Sequence, residues 1–321
     1  MMSRMLLSPL LSLLSPGGKN ARLSILIYHR VRPEADPLLP GDPDAESFRM
    51  QMRLLARCFN PLPLAEAVER LRNGTLPPRA ACVTFDDGYA DNLTVACPIL
   101  REVGIPATFF IATGYLDGGR MFNDTLIETV RRLPEDEYDL RFAGLDVRRI
   151  RDAGDRVRLI ADLVARSKYQ DVRARHEWAE SFARTLGITP PGDLMMSSAQ
   201  LLELAETSGM SIGGHTVHHP ILACCEAEEA RREILQGKEV LERLLQRPVT
   251  LFAYPNGRPG KDYRPEHVSM VRELGFAAAV STAWGCAHAG SDPYQLPRFT
   301  PWDRGGFRFG LRLARNLRMP K

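Results

Sequence analysis

Apolar runs of strand length alternate along this chain with segments whose apolar residues recur at helical spacing. The runs are Leu23–Tyr28, Ala80–Phe85, Ala107–Ala112, Met210–Gly213, Val249–Tyr254, Phe276–Ser281 and Tyr294–Thr300. Between Ser47 and Phe59, the residues Phe48, Met52, Leu55 and Phe59 repeat on one helical face behind Ser47 as a cap. Glu226–Leu245 predicts a second long helix that ends before Pro248. Strands that alternate with helices form parallel βαβ units, because parallel strands need a crossover between them. Seven runs of this kind predict an α/β fold closed, or nearly closed, into a barrel.

The rhythm breaks between Asp117 and Ser197, where Arg, Asp and Glu are dense and no convincing strand stands out. Residues 117–196 therefore read as a helical insertion on a barrel loop, either a lid or substrate wall or a solvated decoration. The chain divides into an N-terminal segment 1–22, a barrel 23–303 that carries the insertion, and a basic tail 304–321.

Composition changes the picture little. With 44% apolar and 25% charged residues the chain has the material for a sizeable core, and a net charge of +3 is too small to imply a nucleic-acid partner. Six cysteines without a C-x-x-C pair fit free thiols in a reducing compartment. The first residues are apolar but interrupted by Pro9 and Pro16 and lack an A-x-A-like cleavage site, which fits a signal peptide poorly. The expected location is the cytoplasm or the inner-membrane surface.

Two segments carry chemistry. ACVTFDDGYADN is a β-branched and apolar run that ends in Asp86 and Asp87 before Gly88. A turn at the strand end lets both carboxylates enter one pocket, one binding a metal while its neighbour holds water; the same pair alone can also simply cap a turn. SIGGHTVHHP follows another short strand and places His215 and His219 at i, i+4. That spacing brings two imidazoles to one side of a turn, as a divalent transition metal requires. Two histidines and one carboxylate leave coordination positions open for water and substrate. Thr216 is placed to brace the loop, and His218 points elsewhere.

Thr84-Phe85-Asp86-Asp87-Gly88 and His215-Thr216-Val217-His218-His219, in this order, resemble the two signature motifs of the polysaccharide deacetylase family (NodB homology, carbohydrate esterase family 4). The resemblance covers roughly residues 23–116 and 197–300. It implies a distorted (β/α) barrel and metal-dependent removal of N-acetyl groups from a carbohydrate. Asp86 would be the base, and Asp87, His215 and His219 would hold the metal, usually zinc, with cobalt or nickel also suited to these ligands.

The third family motif departs from pattern. Ala253 stands in Phe252-Ala253-Tyr254-Pro255-Asn256-Gly257 where an arginine usually orients the base. This form resembles the branch acting on poly-N-acetylglucosamine, which implies Arg298 as the substitute and Asn256, beside Tyr254, as oxyanion and substrate residues. The family's C-terminal histidine is also missing, and the same branch implies His29, in Ile27-Tyr28-His29, as the acid. His288 is the fallback, and His267 lies on an expected surface helix.

Two other functions stay open: deformylation or deacylation of a lipid-linked amino sugar, and a barrel that binds glycan without turnover, which the missing arginine favours. In the tail, Arg304, Arg308, Arg312 and Arg315 fall on one helical face with Leu311, Leu313 and Leu317 elsewhere. Such a helix either makes peripheral membrane contact or packs on the barrel.

Overall fold

In the computed structural model, which describes residues 11–319, the runs Leu23–Tyr28 (β1) and Ala80–Phe85 (β3) pair in parallel over their whole length. The reading of the first ten residues, Pro9 included, lies outside the described residues, as do Pro320 and Lys321. From β3 the parallel sheet continues through β4 (Ala107–Ile111), β7 (Met210–Gly214), β8 (Leu251–Ala253) and β9 (Ala278–Val280). A two-residue strand, β2 (Asn60–Pro61), pairs with Ala80 and Ala81, below the point where β4 takes over at Val83. The result is a curled half-barrel of seven strands flanked by helices.

The run Tyr294–Thr300 is not a strand. It spans the gap between β9 and β1 through two single bridges, Leu296 to Val280 and Phe299 to Leu26. Phe299 exchanges backbone hydrogen bonds with Ile25 and Ile27, both at 3.0 Å. Pro293 precedes the segment and Pro297 interrupts it, and a proline has no N–H for a continuous ladder, so only isolated bridges form.

Strand alternation sorts two cores. Ala81, Val83 and Phe85 face helix α1 (Ala45–Cys58), which contributes Phe48, Met52 and Leu55. Ala80 and Cys82 join Leu23, Ile25, Phe110, Leu251, Ala253, Val280 and Leu296 in the second core. Phe110 fills this space against Gly213, where any Cβ would lie 2.5 Å from the ring. The cap of α1 is Asp44 rather than Ser47: its carboxylate accepts the Ser47 N–H at 2.7 Å. The other named crossovers are α2 (Leu64–Arg72), α3 (Cys97–Val103), α7 (Ser198–Glu206), α8 (Ala227–Leu245) and α9 (Pro265–Glu273).

Residues 117–196 contain α4 (Phe122–Arg132), α5 (Ala153–Ser167) and α6 (Val172–Thr185), with their own core of Leu126, Val130, Leu159, Leu163 and Phe182. They also hold a small antiparallel pair, β5 (Glu137–Tyr138) with β6 (Arg148–Arg149), which the sequence did not reveal. The two ends meet: Asp117 N–H donates to the Met196 carbonyl, and the Asp117 carboxylate accepts the Ser198 N–H at 2.7 Å. The insertion is bolted to the barrel by Asp124 of α4, which accepts the Tyr89 hydroxyl at 3.0 Å while Arg30 lies over the Tyr89 ring at 4.4 Å.

The tail helix α10 (Gly306–Asn316) packs on α1, burying Phe309, Leu313 and Leu317. Its faces divide differently from the expected pattern. Arg312 turns inward to pair with Asp303, while Leu311 shares the exposed side with Arg308 and Arg315, because the barrel takes the Phe309–Leu313 stripe. All six cysteines are free, and among the described residues no helix is long and apolar enough to cross a membrane.

Burial pushes the Asp124 carboxyl up to about 7, against the opposing pull of Arg30 and the Tyr89 hydroxyl. The folded protein thus keeps a proton that the unfolded chain releases near the ordinary carboxylate value of about 4. The stability this contributes is present below that value and is lost as pH rises to about 7. Subtracting the urea stability of Asp124→Asn from that of the parent protein should give a difference that declines across this window. A pH-independent difference would show that the carboxyl is already ionised throughout.

Candidate metal centre and catalytic pocket

Asp86 and Asp87 leave the end of β3 in sharply different directions. Asp86 continues the strand, its N–H bonded to the Tyr28 carbonyl at 2.9 Å. Asp87 then enters the left-handed region at φ +79°, followed by Gly88 at φ +94°. Thr216 (φ +67°), His219 (φ +53°) and Asn256 (φ +58°) take the same rare conformation in the loops after β7 and β8. Strain of this kind costs on the order of 1 kcal/mol or more per residue and persists only where the surroundings impose it. Here it turns the chain at the ends of β3, β7 and β8 toward one pocket.

Three donors meet there. Asp87 Oδ1 lies 3.4 Å from both His215 Nε2 and His219 Nε2. His215 Nδ1 sits 2.7 Å from the Ala253 carbonyl, which can only accept, so this nitrogen carries the proton and Nε2 presents its lone pair. Asp87 Oδ1 is buried and has no hydrogen-bond partner among the described residues. A buried carboxylate oxygen without a donor is costly unless a cation faces it. The donor atoms all lie within 4.8 Å of one another, and this set of one carboxylate and two imidazoles fits a divalent cation.

The local charges agree. Burial would raise Asp87, but His219 and His215 hold it well below the ordinary carboxylate range. Burial pushes His219 down to about 3, which leaves its imidazole neutral. For His215, burial opposes protonation, but Asp86 and Asp87 together move it upward.

Asp86 is gripped by Arg298 through two parallel hydrogen bonds, both 2.7 Å. The same guanidinium donates from Nη1 to Thr84 Oγ1 at 3.1 Å and from Nε to the Ser281 carbonyl at 3.0 Å. Thr84 and Asp86 lie two residues apart, on the same face of β3. Burial would raise the Asp86 pKa, but Arg298 overcomes it and holds the carboxyl below its ordinary value. The guanidinium thus reaches Asp86 from the segment that bridges β9 and β1.

His29 follows β1 directly, is exposed, and lies close enough for its charge to bear on both Asp86 and Asp87. Asn256 and Arg298 line a cleft of about 380 Å³ with Tyr169, Thr282, Trp284 and Trp302. Tyr254 does not reach the site. Its ring is buried and stacked on Tyr263 at 3.8 Å, and its hydroxyl donates to the Tyr294 carbonyl, because the residue before Pro255 points into the core. The other histidines are elsewhere. His288 adjoins the bridge between Ala287 and Leu23, at the opposite end of β1. His267 is buried rather than on a surface, its Nδ1 accepting the Arg264 N–H at the start of α9.

The loop carrying His215 and His219 is held by residues that the sequence did not single out. Glu233 of α8 accepts the N–H groups of Val217 (3.0 Å) and His218 (2.8 Å), and also pairs with His218 Nδ1 at 2.7 Å. Arg175 of α6 donates to the His219 carbonyl at 2.7 Å, and the Tyr115 hydroxyl donates to the His218 carbonyl at 2.8 Å. Thr216, which the sequence did mark as a brace of this loop, acts from within it: its Oγ1 accepts the His219 N–H at 3.1 Å. Gly237 lets α8 come this close, since a Cβ there would lie 2.8 Å from the Thr216 backbone. Arg175 and Glu233 sit in charged helices among many similar residues, and no spacing marks them out.

The fold and motifs agree with known proteins. YxkH of Bacillus subtilis (strain 168) is 22% identical over 282 residues, 87% of this chain and 71% of that protein. IcaB from Ammonifex degensii superposes with a TM-score of 0.61 at 18% identity, over 94% of this chain and 98% of its own. The Streptococcus pyogenes deacetylase PplD, in complex with acetate, gives 0.58 at 20% identity, over 87% and 92%. At such identities these structures share the fold. The family model for polysaccharide deacetylase matches residues 73–159 and 175–279, more than half of the chain. Those stretches contain Asp86, Asp87, His215, His219 and Asn256, and with them the chain belongs to the polysaccharide deacetylase family of hydrolases.

Proposed function

We propose that the protein hydrolyses N-acetyl groups on an N-acetylhexosamine-containing glycan, with a divalent cation, zinc in the first instance, held by Asp87, His215 and His219. The observation that carries this reading is Asp87 Oδ1, buried without a donor and facing two imidazole nitrogens, beside an Asp86 that Arg298 keeps ionised. A binding barrel has no use for such a base, and the guanidinium whose loss at Ala253 favoured that role is present as Arg298.

A cation in this position supplies Lewis acidity toward the acetyl carbonyl and toward water. Asp86 takes the proton from the attacking water, with Arg298 fixing the carboxylate so that its free lone pairs face the pocket. The Asn256 N–H stabilises the oxyanion in this reading, supported by the left-handed turn at Asn256 and by Thr282 Oγ1 donating to its carbonyl at 2.7 Å. His29, at the open end of β1, gives a proton to the departing amine as the C–N bond breaks, releasing acetate and the free amino sugar. Trp284 and Trp302 offer the cleft apolar faces on which a pyranose ring can lie.

Acetate release from N-acetylglucosamine oligomers should stop with a chelator and return with added zinc. Release that persists in chelator would remove the metal from the mechanism. Asp86→Asn should lower kcat about 100-fold or more while metal binding, followed by the visible spectrum of bound cobalt, stays intact. Near-parental turnover in that variant would exclude Asp86 as the base. Arg298→Lys keeps a charge but loses the two-pronged grip, so the Asp86 pKa should rise. The acidic limb of the kcat profile should then move to higher pH; an unmoved limb would mean that Arg298 does not tune the base.

A further inference from the structure

Helix α10 has already spent its inner face on the barrel, yet its outer face is not polar. Phe307 is 78% exposed and Leu311 51%, one turn apart, next to half-buried Met50 and Leu54 of α1. Gly306 and Gly310 set this contact, since a Cβ at either would touch Leu54, and at Gly306 Met50 as well. Around the apolar pair stand Arg304, Arg308, Arg315 and Arg318, all exposed. From Arg304 to Lys321 the sequence contains no Asp or Glu. Arg312, the other arginine of the tail, is paired with Asp303 and turned inward over the Trp302 ring at 4.2 Å. Of the nine large apolar side chains exposed among the described residues, Leu13, Phe307, Leu311 and Met319 belong to the two terminal segments, and Trp302 just precedes the second. Those segments are joined by Arg22 donating to the Leu317 carbonyl, while the Cys286 N–H donates to the Met319 carbonyl at 3.0 Å and ties the tail to the barrel.

A buried helix face accounts for Phe309, Leu313 and Leu317 but not for Phe307 and Leu311. A merely solvated face accounts for the arginines but not for an exposed phenylalanine and leucine among them. Cationic charge in a stretch free of Asp and Glu, interleaved with apolar side chains along one helix, complements a surface that is anionic outside and apolar beneath. We propose that the outer face of α10 docks on an anionic lipid bilayer. Phe307 and Leu311 enter the headgroup layer while Arg304, Arg308, Arg315 and Arg318 meet lipid phosphates. Trp302, half exposed, belongs to this end of the molecule and also lines the catalytic cleft. If the deacetylase reading holds, docking therefore brings the cleft mouth to a glycan presented at a membrane surface.

Co-sedimentation of the full chain with vesicles tests the docking without reference to activity. The protein should pellet with phosphatidylcholine–phosphatidylglycerol vesicles, should stay in solution with phosphatidylcholine alone, and should be released by salt. Arg308→Gln with Arg315→Gln should weaken binding by about five-fold for each arginine removed, and Phe307→Ser with Leu311→Ser should weaken it as well. Acetate release from soluble oligomers should be unchanged in both double variants. Equal binding to neutral vesicles, no binding to anionic ones, or full binding by the arginine variant would overturn the proposal. So would a dimer in sedimentation velocity that the Phe307→Ser, Leu311→Ser variant dissolves, since the face would then belong to a second copy. Vesicle binding without acetate release would sink the deacetylase reading and leave the docking surface standing.

Discussion

The pairing of Arg298 with Asp86 is the interaction on which the rest of the site depends. Two opposite charges lie inside a barrel otherwise lined by Ile25, Cys82, Phe110 and Val280, where neither would be tolerable alone. Breaking such a pair by removing one partner costs about 3–5 kcal/mol, because the remaining charge has no solvent to retreat to. The pair is stable here because every prong of the guanidinium is used: Asp86 takes two, Thr84 shares one of these, and Ser281 takes the Nε. The same geometry that satisfies the arginine keeps the carboxylate ionised and oriented.

Around that pair the barrel divides its labour by strand end. β3 brings both aspartates, β7 the two histidines, β8 the Ala253 carbonyl that sets the His215 tautomer, and β1 leads to His29. Short left-handed turns do the aiming, and they are held from outside by Glu233, Arg175 and Tyr115. Through Arg175 the helical insertion takes part in shaping the metal loop, and through Asp124 and Tyr89 it is fixed to the residue that follows Asp87-Gly88. It is a buttress as well as a wall of the cleft, to which Lys168 and Tyr169 contribute.

Much of this was legible in the sequence, for identifiable reasons. Strands β1 and β3 were read to the residue because both faces of each are buried and their apolar runs are unbroken. The meeting of Asp87, His215 and His219 was legible because ligand chemistry allows few residue types and short loops fix their spacing. Tyr294–Thr300 looked like a strand since composition records burial, not pairing; its prolines prevent the ladder while the segment still fills the strand's place. Tyr254 looked like a site residue because it stands two positions before Asn256, yet it still packs in the core while Asn256 lies beyond it in a left-handed turn. The pairs β5–β6, too short to show periodicity, and the clamp residues Arg175 and Glu233, typical of any charged helix, carried no signal to read.

The barrel's closure carries a consequence for how this molecule fails. Most neighbouring strands are joined by ladders, but the β9–β1 seam is stitched by single bridges at Leu296 and Phe299, and Arg298 sits between the two stitches. This sparsely stitched join is therefore also the mount of the residue that keeps Asp86 charged. Parting the seam by a few ångströms would leave every strand and helix in place and strand Asp86 in an apolar interior, where it would take up a proton. Heat or denaturant should accordingly silence the pocket while the fold still stands, with the seam acting as a fuse ahead of the core.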